Sequence, residues 1–182
     1  DYYCPDEAGE DVPAISCAKL YHKSLFDALR YPVGKLHEDE FTTYLAVYRA
    51  GKVVVTREAL YAYYQNPVGI MLSKWTPRKL HILEATENQI AFARETGNLR
   101  LLKKAVRQYI YSTYEQIGFA KQWDDPGRGR LLKILRKKLR EGLRQGKDFD
   151  LFPLCRERSW MYEEAYPVKP FWWLYGKLHR GG

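Results

Sequence analysis

The chain has 182 residues, 46% hydrophobic and 29% charged, with a formal net charge of +8. That balance excludes an intrinsically disordered chain, and the length allows one domain with a real core, or one and a fraction. No apolar run reaches the roughly 18 residues of a membrane-spanning helix. Cys4, Cys17 and Cys155 are odd in number, widely spaced and without a CxxC. They argue against a disulfide framework or a zinc site, and for a reducing compartment.

Residues 1–14 read as a loop or frayed end, with Pro5, Gly9 and Pro13 among acids. No signal peptide is visible there, and the opening DYYCPDEAGED reads as a cut from something longer. ISCAKLYHK (15–23) predicts a short buried strand running into a helix over 24–31. Ser24 would cap that helix, and Pro32 and Gly34 would end it. A second helix begins near Glu38, where Phe41, Leu45 and Tyr48 keep helical spacing, Tyr44 and Val47 widen the face, and Gly51 is a fitting stop. KVVVT (52–56) and EALYAYYQN (58–66) read as two strands, and Asn66, Pro67 and Gly69 as a loop. These strands are too few for an independent sheet and would need a partner sheet.

From Thr76 the pattern turns helical. Thr76-Pro77 starts a helix that runs to about Glu95, where Gly97-Asn98 breaks it. Leu99, Leu102, Val106, Tyr109, Ile110, Thr113 and Ile117 keep one face of the next helix. Asp124 to Gly129 is a turn. Residues 130–145 form a basic helix with Leu132, Leu135, Leu139 and Leu143 in one stripe. From Phe152 the tail mixes prolines and aromatics. The organisation expected is a loop at 1–14, an α/β part at 15–75 and a helical extension at 76–182. Charge is uneven: residues 1–50 carry 5 Lys/Arg and 9 Asp/Glu, and residues 128–182 carry 14 and 6.

Glu38, Asp39 and Glu40 stand together at a helix start. Acids there interact well with the helix dipole, by about 0.3–1 kcal/mol each, with no function required. The other reading is a general base, its pKa raised by like-charged neighbours.

The ordered segments CAKLYHKSLF, RYPVGKLHEDEFTTY, an apolar helix and KVVVTREALYAYYQNPVGIM resemble the second half of a family 2 glycosyltransferase of the GT-A fold. The likeness covers roughly residues 15–120. It is carried by Lys19-Leu20-Tyr21, Pro32, Gly34, Glu38-Asp39, Tyr61 with Tyr63, and Ile70-Met71. The fold it implies is an α/β fragment, the C-terminal part of a GT-A domain, followed by a mainly helical extension. Asp39 would be the catalytic base, and Glu38 would shape its field or bond the acceptor. Lys19, His37, Gln65 and Asn66 would contact substrate, the last two in a loop over the nucleotide diphosphate. Gly69 departs from the serine common in that loop.

The implied reaction moves a sugar with inversion from a nucleotide-sugar, a UDP-sugar foremost, to a glycan or lipid-linked hydroxyl. It implies a divalent cation, Mg or Mn, on a D-x-D motif in an upstream nucleotide-binding half. No D-x-D precedes Lys19, and Asp148-Phe149-Asp150 comes in the wrong order. The chain alone is therefore expected to be inactive. The location expected is cytoplasmic, with peripheral contact on the cytoplasmic face of the membrane.

Residues 128–147 carry nine Lys/Arg and one acid, Glu141. They read as a solvated face, as an anionic-membrane contact supported by Phe171, Trp172, Trp173 and Tyr175, or as a nucleic-acid stripe, which no recognised motif supports. The alternative to an enzyme is thus a non-enzymatic helical module binding an anionic membrane surface, nucleic acid or a protein partner.

Overall fold

The computed structural model describes residues 14–56, 58–62, 64, 73–149 and 156–166, with side chains from Trp160 onward in the last segment. They form five α-helices: α1 (Glu38–Arg49), α2 (His81–Glu95), α3 (Leu99–Lys121), α4 (Arg128–Lys147) and α5 (Arg156–Ala165). Short 3₁₀ turns at Lys23–Phe26 and Pro77–Leu80 precede α1 and α2. The chain divides into two compact units, Asp1–Tyr109 and Ile110–Gly182, with the division inside α3.

In the first unit, α1 packs on α2. Phe92 of α2 receives Tyr44 and Tyr48 of α1 edge-on, at centroid distances of 5.4 and 4.9 Å. Leu29, Ala46, Ile82, Leu83, Ile90, Leu102 and Val106 are buried with them. The end of α2 is closed by glycine. Gly97 adopts φ +65°, the Asn98 amide donates to Ala93 O at 2.9 Å, and the Gly97 amide donates to Arg94 O at 3.2 Å. Those two bonds satisfy the last carbonyls of the helix, and an L side chain would strain the left-handed residue. Asn98 then starts α3, its Oδ1 accepting the Leu101 amide at 3.0 Å.

In the second unit α4 packs on α5. Leu135, Leu139 and Leu143 of the predicted stripe are buried, as are Ile110, Ile117 and Met161. Gly142 and Gly146 lie on the same buried face of α4.

The structure overturns the expected α/β class. No strand occurs among the described residues, so the chain is not the α/β fragment of a GT-A domain. Residues 15–23 are not a strand, and 24–31 hold only one 3₁₀ turn. Ser24 Oγ bonds His22 Nδ1 at 2.7 Å instead of capping a helix. Arg30 turns its guanidinium back onto the carbonyls of Phe26 and Leu29, and Pro32 offers no amide to extend the turn.

Residues 52–56 and 58–62 are not strands, for a different reason. A strand needs a ladder partner, and β-propensity measures fit to a half-buried pleated surface. Here Val53, Val54, Val55, Leu60 and Tyr61 are exposed. Local bonds intervene: Glu58 N donates to Thr56 Oγ1 at 3.2 Å, and Leu60 N to Glu58 O at 2.9 Å. Such turns compete with pairing.

Candidate active site

The approach to α1 is a tight turn gripped by α2 and the turn before it. Gly34 has φ +78° and His37 has φ +59°. Arg78 Nη2 donates to Gly34 O at 3.1 Å, Lys35 pairs with Glu84 at 2.6 Å, and the Leu36 amide donates to His81 Nδ1 at 3.0 Å. The last bond needs an unprotonated Nδ1. Burial, then Lys35, hold the His81 pKa below its ordinary value.

His37 is the N-cap of α1, in the left-handed region and with no side-chain cap bond. A non-glycine residue there is strained, which marks the turn as over-determined by its neighbours. The acids supply what the cap residue does not. Asp39 Oδ1 accepts the Glu40 amide at 2.9 Å, and the same amide reaches His37 O at 3.1 Å. The other Asp39 oxygen takes no hydrogen bond from the described residues.

Asp39 is half-buried. Burial raises its carboxyl pKa above the ordinary value, the Glu40 amide opposes this, and the charges of Glu40 and Glu38 raise it further, while His37 lowers it. Lys19 and Tyr21 lie within its electrostatic reach. The Lys19 pKa is lowered by burial, against the raising influence of Cys17 and Asp39, and its Nζ donates to Ile15 O at 2.6 Å. Burial holds the Tyr21 phenol well above its ordinary range, helped by Tyr31. Tyr21, Phe26 and Tyr31 form a run of rings, with centroids 5.2 and 5.8 Å apart. Tyr21 Oη and Thr43 Oγ1 are buried near each other, yet neither completes a hydrogen bond of ordinary geometry.

Glu40 is turned inward instead. Gln89 Nε2 donates to Glu40 O at 2.7 Å and to Glu40 Oε2 at 3.0 Å, and Gln108 Nε2 donates to Oε1 at 3.0 Å. Gln89 is fully buried. Two glutamines, from α2 and α3, thus fix the residue next to Asp39 and with it the first turn of α1.

The structure therefore brings together Lys19, His37, Glu38 and Asp39. Gln65 and Asn66 lie outside the described residues. The reading from sequence missed Glu40 with Gln89 and Gln108, and Tyr21 as a neighbour of Asp39. One signal was present: Gln89 falls among the apolar positions Ile82, Ile90 and Ala93, where a polar side chain needs a partner.

Among the described residues no group of three or more His, Cys, Asp or Glu is placed to hold a metal ion. Glu38, Asp39 and Glu40 are successive helix positions about 100° apart, so they diverge instead of converging on one cation. Among the same residues no helix is long and apolar enough to cross a membrane. Comparison with models of protein families, with curated proteins and with solved structures found no match.

Proposed function

We propose that this chain supplies the general base and acceptor side of an inverting glycosyltransferase, using a nucleotide-sugar donor and a glycan or lipid-linked acceptor. The observation that carries the reading is Asp39: a half-buried carboxylate, one oxygen tied to its own helix, the other unbonded, with its pKa raised by burial and two adjacent acids. The ordered residues that resemble a family 2 glycosyltransferase add support.

In this reading Asp39 takes the proton of the acceptor hydroxyl as that oxygen bonds to the anomeric carbon of the sugar. The bond from that carbon to the nucleoside diphosphate breaks, and the diphosphate leaves with the electron pair. Attack opposite the leaving group inverts the centre. A raised pKa makes Asp39 a stronger base than an ordinary aspartate. Lys19 and Tyr21 line its surroundings, and the glutamine pair holds its helix turn still. The divalent cation expected for such donors finds no ligand set among the described residues, and no step here uses it.

The test is Asp39→Asn in the natural full-length protein, assayed for release of the nucleoside diphosphate from a panel of sugar nucleotides. General base catalysis is worth about 10²–10⁴ in rate, so turnover should fall by that factor while donor affinity stays unchanged. Turnover within a few-fold of the parent would contradict the assignment.

A further inference from the structure

We propose that the outward face of α4 docks on an anionic lipid bilayer, an interaction that goes beyond the transfer reaction and stands without it. Six of the nine cations of this helix fall into two sets. Arg136 donates from Nε and Nη2 to Glu164 Oε1 at 3.1 and 3.0 Å. Arg140 donates to Ala165 O at 2.7 Å and stands over the Tyr166 ring, 5.7 Å from its centroid. These two hold α5 and are not available to a partner.

Arg130, Lys133, Lys137 and Arg144 are exposed, on the side away from buried Leu135, Leu139 and Leu143. At 3.6 residues per turn they fall within an arc of roughly 60°. Arg130, Lys133 and Arg144 make no ion pair with the described residues, and Lys137 only reaches Glu141 at 3.9 Å with its side chain 74% exposed.

The fold gains little from this placement. Arg144 sits in the last turn, where the helix dipole favours a cation. Arg130 sits in the first turn, where the dipole opposes it, with Asp125 just ahead of the helix bound to the Gly127 amide. A row of exposed cations, three of them without an ion pair among the described residues, matches an anionic surface outside the chain.

The shape of the face favours a bilayer over nucleic acid. The 20-residue helix presents an extended row of long Lys and Arg side chains, whose stems can lie on an apolar boundary with their heads among phosphates. Ile134 adjoins the same face and is 46% exposed, an apolar group for the headgroup boundary. No residue of α4 is aromatic, so the helix offers bases no stacking platform.

The experiment sediments the 182-residue chain with phosphatidylserine/phosphatidylcholine vesicles, with pure phosphatidylcholine vesicles, and measures its binding to single-stranded poly(U) RNA at the same salt. Binding should require phosphatidylserine and weaken as salt rises. Each removed cation should lower partitioning about five-fold, so R130Q/K133Q/K137Q/R144Q should lose at least about a hundred-fold while keeping its helical circular dichroism. A variant with the same charge loss elsewhere, K52Q/K74Q/R94Q/K103Q, should bind within a few-fold of the parent. Equal binding to both vesicle types, an equal loss in the two variants, or RNA binding without vesicle binding would each overturn the proposal.

Discussion

Two glutamates, one in each compact unit, are both held by several donors, and the donors differ in kind. Glu40 at the start of α1 receives amide groups from Gln89 and Gln108. Glu164 on α5 receives Lys121 and the guanidinium of Arg136, with its side chain only 13% exposed. Neutral amides fix a carboxylate in place without cancelling its charge, and Glu40 still raises the pKa of its neighbour Asp39. Ammonium and guanidinium groups cancel the charge they bind. The comparison sets an acid that raises the pKa of its neighbour beside an acid ion-paired to Lys121 and Arg136.

The largest stability effect should come from breaking the second arrangement. Glu164→Gln leaves Lys121 and a partly buried Arg136 facing a neutral amide, and should cost about 1–3 kcal/mol in urea unfolding. A loss below about 0.5 kcal/mol would mean the pair is a surface ornament. Gln89→Leu removes both Gln89 hydrogen bonds to Glu40, leaving that from Gln108, and should cost about 1–2 kcal/mol, measured the same way. The smallest effect belongs to Lys137→Gln, whose ion pair with Glu141 is long and exposed. It should change stability by less than about 0.5 kcal/mol.

The legibility of the chain follows the range of the interactions involved. The start of α1 at Glu38, the end of α2 at Glu95 and the leucine stripe of α4 depend on caps and spacing within one or two turns, and they are readable in the sequence. The two strands expected at 52–56 and 58–66 depend on a ladder partner, which valines and tyrosines alone do not supply. Helix α5 has no clear apolar period in RERSWMYEEA and sits among prolines, which hid it. The site divides the same way. Asp39 and Glu38 were visible as neighbours in a motif. The clamp on Glu40 comes from residues 49 and 68 positions away, a juxtaposition that only the packing of α1 with α2 and α3 creates.

The buried aspartate also has a stability consequence whose sign is fixed. A folded pKa above the ordinary value of 3.8 means the contribution of Asp39 to stability is greatest below 3.8 and declines as pH rises through the folded value. Asp39 therefore works against folding at neutral pH, and Asp39→Asn should melt no lower than the parent while losing activity.

The most direct test of the central claim is the carboxyl-carbon NMR titration of Asp39 in this chain and in its Glu40→Gln variant. The parent should titrate above 3.8, and the variant, which keeps the residue 40 amide but loses its charge, should titrate lower than the parent. A parent midpoint at or below 3.8, or no change on substitution, would contradict the account of Asp39 as a base raised by its neighbours.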